Sequence, residues 1–370
     1  MNSPASPALI LTALLLTFLS SCRLPDKPVS KQEALDLAKK IERSVNQQNE
    51  AVLNNIFDEK RFTQRVVDEA HQRFNLSFAT EVKSAISELH WGHQVVTSTT
   101  GGGTYSLVHQ YEKDGHQHLL FRLFESSTAL NYHDFELTKT DEGIKAVDVY
   151  NFSGGEEFSK TLAQSLVLLS DKISDMNADE KSRVLHVRKI NELLEGGNAE
   201  QARRNFDELP GYLRKDKAFQ LMHIRITSKL GDSAYLSALN EYKTDFPKDP
   251  NLGLLLIDAY VMQKDYPAAI SAVDHLDSAV HRDTFLDYDR ALICKLEGDP
   301  AQSRYYLRRL YSGMPLFGKG AVELIDNYVN AGYPDSAAMV IRQEQAASNI
   351  TASQLTNLES AYPQIKRYLK

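Results

Sequence analysis

The chain contains very little cysteine for its length. Of its 370 residues only two are cysteines, Cys22 and Cys294, which excludes the disulfide frameworks that hold small secreted domains together. A long apolar segment is missing too. The most apolar stretch, from Leu9 to Leu19, has about 11 residues, and a helix of that length is too short to span a bilayer.

An excess of positive charge is also absent. Lys and Arg number 42 against 49 Asp and Glu, so the formal net charge is −7. Domains that bind nucleic acid usually carry a basic patch, often with aromatic side chains among the cations. No such stripe occurs in either half of the chain, and we therefore expect no nucleic-acid partner.

Sequence motifs of catalysis and cofactor binding are missing as well. The chain has no G-x-S-x-G nucleophile elbow, no H-E-x-x-H zinc motif and no EF-hand loop. The three glycines Gly101–Gly103 are not followed by Lys-Ser or Lys-Thr, so they do not form a phosphate loop. We therefore predict no catalytic residue, no cofactor and no metal site.

Histidine is the one residue type that leaves metal binding open. His116 and His118 stand two positions apart on a predicted strand, where their side chains would point to the same side and reach one ion. Exposed polar residues are equally expected beside the neighbouring turn. His133 and Asp134 are adjacent and point to opposite faces of a strand, so they cannot act as a pair.

The first residues have the pattern of a targeting segment. Residues 1–21 contain the apolar core, and Leu19-Ser20-Ser21-Cys22 follows it. This tetrapeptide resembles a bacterial lipobox. The resemblance implies cleavage before Cys22, a diacylglycerol on its thiol, residues 22–30 as a tether, and anchoring in the cell envelope at the outer membrane. The alternative is an ordinary secretory signal peptide with an incidental cysteine.

Residues 31–155 have the pattern of an α+β domain in which helices precede an antiparallel meander. Ser30 and Glu33 have the spacing of a capping box at the start of the first helix. Five segments alternate in polarity and predict strands: Gln94–Thr100, Thr104–Tyr111, Gln117–Glu125, Leu130–Thr138 and Ile144–Phe152. This order resembles the nuclear-transport-factor-two-like or cystatin-like cone. Residues 156–182 predict a helix that connects this domain to the rest.

Between positions 183 and 345 the sequence repeats with a period of about 34 residues. Tyr260, Ala269, Val273 and Leu276 have counterparts one period later at Cys294, Ser303, Leu307 and Leu310. Gly231 likewise follows Gly197 by one period, and Gly332 follows Gly298 by the same interval. The five units resemble the tetratricopeptide repeat (TPR) family, which implies helix pairs stacked into an all-α solenoid. Residues 346–370 would form a capping helix, and Cys294 would be a small buried residue.

The TPR resemblance also implies a concave groove lined by the first helix of each pair. Transferred position by position, it places charged and polar side chains in that groove at Asn191, Arg225, Asp258, Tyr288, Lys295 and Asp326. Such a lining suits an extended or helical peptide. Val187 stands where the clamp for chaperone C-termini needs Lys, so we expect no binding of that peptide type. The alternative is a groove filled by the first domain or left as solvated surface.

Together these patterns predict a non-catalytic, lipid-anchored scaffold that binds an envelope protein or peptide in a TPR-like groove. A second hypothesis is a small-ligand or lipid-binding protein with an apolar pocket in the α+β domain. A third is an enzyme that uses the histidine-rich first domain. The second and third hypotheses each require a pocket of a few hundred cubic ångströms in the folded chain.

Overall fold

The computed structural model describes residues 28–70, 76–125, 129–169, 178–350 and 352–369. Five helices come first, and a capping box at Ser30 begins the first of them, as predicted: the Ser30 hydroxyl accepts from the Glu33 N–H and the Glu33 carboxylate accepts from the Ser30 N–H. These helices are α1 (Lys31–Asn46), α2 (Ala51–Asn54), α3 (Glu59–Glu69), α4 (Leu76–Glu88) and α5 (Trp91–Thr99).

Helix α5 corrects one strand prediction. The segment Gln94–Thr100 was expected to be extended, but most of it lies in α5, because Trp91, Val95 and Thr99 recur at helical spacing and are all buried. Gly92 belongs to the same helix and lies so close to α2 that a Cβ there would be 2.2 Å from the Glu50 carbonyl oxygen. The glycines at 101–103 therefore lead from a helix into the sheet instead of joining two strands.

The sheet has five antiparallel strands in the order of the chain. They are β1 (Thr104–Lys113), β2 (His116–Phe124), β3 (Leu130–Thr140), β4 (Gly143–Asn151) and the short β5 (Glu156–Glu157). Asp114 and Gly115 both have positive φ in the two-residue turn between β1 and β2, as a type I′ hairpin requires. One face, with Leu119, Phe121 and Phe135, packs against the helices.

Helix α6 (Phe158–Leu169) follows β5, and five helix pairs come after it in the described residues. The expected connecting helix over 156–182 is thus divided between β5, α6 and the start of α7. The pairs are α7 (Ala178–Glu195) with α8 (Ala199–Asp207), α10 (Lys217–Thr227) with α11 (Asp232–Asp245), α12 (Leu252–Met262) with α13 (Tyr266–Ala279), α14 (Leu286–Glu297) with α15 (Pro300–Gly313), and α16 (Gly318–Asn330) with α17 (Pro334–Ala346); the short α9 (Gly211–Arg214) lies between the first two pairs.

The repeated glycines have a common conformational role. Gly197, Gly231, Gly298 and Gly332 stand in the turn between the two helices of their pairs, and all have positive φ, which glycine adopts at little steric cost. In the third pair Lys264 takes this place with φ 58°. The structure is therefore an α+β domain followed by an all-α, TPR-like solenoid. Its end is formed by α18 (Ala352–Ala361), a 3-10 turn (Pro363–Ile365) and α19 (Lys366–Leu369), where one capping helix over 346–370 was expected.

The second face of the sheet packs along one edge of the solenoid. The residues directly before α14 and α16 take part in this contact. Leu120, Tyr132 and Phe152 cluster there with apolar residues of α13 and α14, and the Phe124 ring lies 4.8 Å from Phe285 and 5.6 Å from Phe317. Tyr132 of β3 is fully buried on this face, so the contact with the solenoid shields this part of the sheet from solvent.

Candidate functional site

The first helices α7, α10, α12, α14 and α16 carry the residues predicted to line the groove. At its N-terminal end, the structure brings Asn191 and Arg225 together. The Arg225 guanidinium donates a hydrogen bond from Nη2 to the side-chain oxygen of Asn191, one repeat earlier. Arg225 is exposed, and no described carboxylate pairs with it. It therefore leaves a positive charge in the groove.

A pocket of about 430 Å³ lies beside Arg225, between α10 and α12. Its wall is mainly apolar, with Leu221 and Leu255 among the contributors, and Tyr235 of α11 adds a phenol. Burial and the nearby Asp258 carboxylate raise the pKa of Tyr235, so the hydroxyl stays protonated at neutral pH. The complete lining is Ser153, Gly154, Ala218, Leu221, Met222, Ile224, Arg225, Ser228, Tyr235 and Leu255.

Ser153 and Gly154 in this lining belong to the α+β domain, in the turn after β4. Lys217 at the start of α10 holds the turn in place. Its ammonium donates to the Gly155 carbonyl oxygen and lies 2.5 Å from Oδ2 of Asp249. Asp249 also accepts a hydrogen bond of 2.8 Å from the Tyr242 hydroxyl. The pocket is therefore built from both domains, which sequence periodicity in the repeats alone could not reveal.

Two carboxyl groups on the first helices of successive pairs, Asp258 of α12 and Asp289 of α14, have raised pKa values. Asp258 is accessible to solvent, yet the surrounding protein removes enough water to raise the pKa of its carboxyl. Burial raises the pKa of Asp289 to about 7, and the charges of Asp258 and Asp283 act in the same direction. Arg290 and Arg122 oppose this shift. A cation beside these two carboxyl groups would stabilise their ionised forms.

The C-terminal part of the groove is closed by internal bonds. The Lys295 ammonium lies 2.7 Å from Oε2 of Glu323 and 3.2 Å from Oδ2 of Asp326. The Tyr362 hydroxyl, from the end of the chain, donates to Oδ1 of Asp326 at 2.7 Å. Lys295 and Asp326 therefore satisfy each other, and this region offers a ligand fewer unpaired groups than the surroundings of Arg225.

Tyr288 differs from its predicted position on the groove surface. Its side chain is 9% exposed and its ring lies 5.9 Å from Phe285 and 5.2 Å from Phe317. Burial raises the pKa of its hydroxyl. The prediction transferred a groove position from one repeat to the next, but here Tyr288 packs against Phe285 and Phe317, the two solenoid rings that also contact Phe124 of the sheet.

Two histidines of the first domain, His109 and His118, lie near that same junction. His118 Nδ1 lies 3.2 Å from Oδ1 of Asp134, and Tyr111 donates to the same carboxylate. The rings of His109 and Tyr111 contact His281 of the solenoid at 4.9 and 4.4 Å. Within the described residues no set of three or more His, Cys, Asp or Glu has a metal-binding arrangement.

The α+β domain has a larger cavity of about 750 Å³ at its rim. Charged side chains such as Lys60, Glu59 and Asp141 dominate its lining, which does not suit an apolar ligand. The interior between helices and sheet is packed with aromatic rings; Phe57 and Phe62, for example, lie 4.5 Å apart. The small-ligand hypothesis thus gains no observation in its favour from the described part of this domain.

Of the two cysteines, the structure describes Cys294 but not Cys22. Cys294 is a free, buried thiol whose pKa is raised by burial, which agrees with a packing role at its repeat position. Cys22 lies outside the described residues, as does the predicted signal segment. Among the helices that the structure describes, none combines the length and apolar character needed to cross a bilayer.

Comparisons with known proteins found little similarity to this chain. No protein-family model and no curated protein sequence matches it. Among solved structures, a thermophilic TPR protein from Thermus thermophilus aligns at 17% identity with a TM-score of 0.30. That alignment covers 49% of this chain and 96% of the other. The TPR-like description rests on the helix pairs themselves, which repeat over residues 178–346 of this chain.

Proposed function

We propose that this chain is a non-catalytic scaffold that binds a segment of another protein in the open N-terminal part of its helical groove. The observation that carries the proposal is the pocket of about 430 Å³ beside the unneutralised guanidinium of Arg225. An apolar cleft with a few polar groups at its rim is the usual form of a recognition site. Lys295 and Asp326, which bond to each other, would contribute less.

A protein segment fits this site better than a compact ligand does. Asn191, Arg225 and Asp258 occupy equivalent positions on α7, α10 and α12, so they form a row along the groove and not a ring around a cavity. A row of side chains on successive helices matches an extended or helical peptide laid across them.

We further propose that the chain is anchored in the bacterial envelope through a lipid on Cys22, with residues 22–30 as the tether. The support is the tetrapeptide Leu19-Ser20-Ser21-Cys22 after a short apolar core. Two acyl chains on one residue would hold a folded domain stably at a membrane. The domain would then meet a partner at the outer membrane, in the periplasm or at the cell surface.

Site-specific photo-crosslinking in a bacterial host tests the binding surface. Benzoylphenylalanine would replace Ser228, at the pocket rim, or Tyr305, which is 51% exposed on the second helix of its pair. We expect a discrete protein adduct from position 228 and none from position 305. Adducts that are equal at the two positions, or absent from both, would contradict the proposal.

Metabolic labelling tests the anchor separately. An alkyne-bearing palmitate analogue should label the wild-type chain, and the label should disappear in Cys22→Ser together with association with the membrane fraction. Cys294→Ser serves as the matched control and should keep the label. Equal labelling of wild type and Cys22→Ser would exclude the proposed lipidation.

The likeness of the α+β domain to the nuclear-transport-factor-two-like or cystatin-like cone stays a prediction.

A further inference from the structure

The pocket beside Arg225 lies between α10 and α12, and it has a third wall that comes from the α+β domain and not from a repeat. Ser153 and Gly154 approach from the α+β domain and face Leu221 and Leu255 of the solenoid across the cleft. We call this pocket, with its walls from both domains, the junction pocket. The repeats alone would contact a ligand from one side only, whereas in the junction pocket residues of both domains contact the ligand.

The third wall is held rigidly before any ligand arrives. The Asn151 side-chain oxygen accepts from the Ser153 hydroxyl at 2.8 Å and from the Ser153 N–H at 3.1 Å. The Gly155 N–H donates to the Asn151 carbonyl at 2.8 Å, and Lys217 bonds to the Gly155 carbonyl from the solenoid. Binding groups fixed in advance lose little entropy on association, which favours affinity and selectivity.

The charge near the junction pocket changes sign along the groove, from the cation Arg225 to the carboxylate Asp258. Arg225 lies at the pocket, and its guanidinium has only the neutral Asn191 side chain as a hydrogen-bond partner among the described residues. Asp258, one repeat further along the chain, is accessible to solvent, and no described Lys, Arg or His forms an ion pair with it. Helices α10 and α12 both line the junction pocket. At a separation of about 10 Å, and with an advance of about 3.3 Å per residue in an extended chain, their two charges match side chains about three residues apart.

We infer that the junction pocket receives an apolar side chain of an extended protein segment, in which an acidic residue pairs with Arg225 and a basic residue about three positions away reaches Asp258. This inference rests on the proposed groove function and adds the chemistry of the partner. The apolar lining of the junction pocket selects the central side chain, and the opposite charges of Arg225 and Asp258 set the direction of the segment.

Selection from a phage-displayed library of random dodecapeptides tests the inference, with the full chain held in detergent as bait. We expect enrichment of peptides with an acidic, an apolar and a basic residue at that spacing. Arg225→Glu should replace the acidic preference by a basic one. Lys229→Glu, an exposed cation four positions later in the chain, is the matched control and should select the wild-type pattern.

Direct binding of the best selected peptide tests the third wall. A Cβ on Gly154 would meet only Asn151 atoms at 3.7 and 3.9 Å, so Gly154→Trp is tolerated by the backbone and narrows the junction pocket. We expect it to weaken binding by about tenfold or more, and Arg225→Ala to weaken it by about ten- to a hundredfold. Gly211→Trp, where a Cβ has no neighbour within 4 Å, should change nothing.

The possible failures are distinguishable. Peptides that bind equally to wild type, Arg225→Glu and Gly154→Trp would overturn the junction pocket as the recognition site but leave a groove function elsewhere. No enrichment of any pattern would overturn both the inference and the proposed function. Saturable binding of cis-parinaric acid that is lost in Gly154→Trp would assign the pocket to a lipid and overturn the peptide assignment.

Discussion

The Arg122 guanidinium and the Asp283 carboxylate are separated by 161 residues in the chain, yet their nearest atoms, Nη1 and Oδ1, lie 2.6 Å apart. Both side chains are at most 5% exposed. Asp283 also accepts from the Tyr132 hydroxyl at 3.0 Å, and Arg122 lies over the Phe285 ring with 4.6 Å between its Cζ and the ring centroid. This buried ion pair joins the sheet to the solenoid.

Removing Arg122 should destabilise the whole chain. In Arg122→Met the Asp283 carboxylate stays buried without its counter-charge, and the loss of one partner of a buried pair typically costs about 3–5 kcal/mol of unfolding free energy. Urea denaturation followed by circular dichroism measures it. Arg203→Met removes an exposed partner of Asp207 and should cost less than about 1 kcal/mol. Equal effects of the two substitutions would show that the buried pair is not a determinant of stability.

Acid should destabilise the α+β domain through His133. Burial lowers the pKa of this side chain to about 3 from an ordinary value of 6.5. Between pH 6.5 and about pH 3, this side chain therefore binds a proton in the unfolded chain but not in the folded chain. The free energy of unfolding decreases as the pH falls through this range. At about 1.4 kcal/mol per pH unit, the expected loss from pH 6.5 to pH 5 is about 2 kcal/mol.

The variant His133→Phe isolates this effect, because its other titrating groups are those of the wild type. Asp148, whose pKa is raised by burial to about 6, acts in the opposite direction in both chains and cancels in the comparison. Urea midpoints at pH 6.5 and pH 5 should fall more in the wild type than in His133→Phe. His93→Gln, an exposed position, should follow the wild type. Parallel pH profiles for wild type and His133→Phe would contradict the assignment.

Gly253 should not tolerate a larger side chain. A Cβ there would lie 2.7 Å from the Leu276 Cβ and 3.1 Å from its Cα, so α12 and α13 would have to separate. Overpacking of this kind costs about 1–3 kcal/mol, and we expect Gly253→Ala to lower the urea midpoint accordingly. Gly211→Ala, which meets no neighbour within 4 Å, should stay within about 0.5 kcal/mol of the wild type.

The two ends of the groove should respond differently to the loss of a cation. Arg225→Ala should reduce the photo-crosslinked adduct at position 228 by about tenfold, because it removes the unneutralised charge beside the pocket. Lys295→Ala should leave the adduct within about twofold, since Lys295 is already bound to Glu323 and Asp326. A larger loss in Lys295→Ala than in Arg225→Ala would place the binding surface at the C-terminal end.

Sequence periodicity alone predicted the elements that depend on near neighbours in the chain. The capping box of Ser30 and Glu33, the alternating strands Thr104–Tyr111 and Gln117–Glu125, and the glycines that recur between paired helices all depend on residues within a few positions of each other in the chain. Helical spacing was equally present in Trp91, Val95 and Thr99, but the alternation of the following segment was given more weight, and this produced the wrong strand over Gln94–Thr100.

Only the tertiary structure decided which of these surfaces stay accessible. The periodic pattern is the same for a first helix that faces solvent and for one that meets another domain, so it placed Tyr288 in the groove with the same weight as Arg225. Contacts between the sheet and the solenoid join residues far apart in sequence, as Arg122 and Asp283 are. Such contacts leave no local pattern. They bring Ser153 and Gly154 to the pocket, because burying the sheet's second face removes its apolar surface from water and so lowers the free energy of the chain.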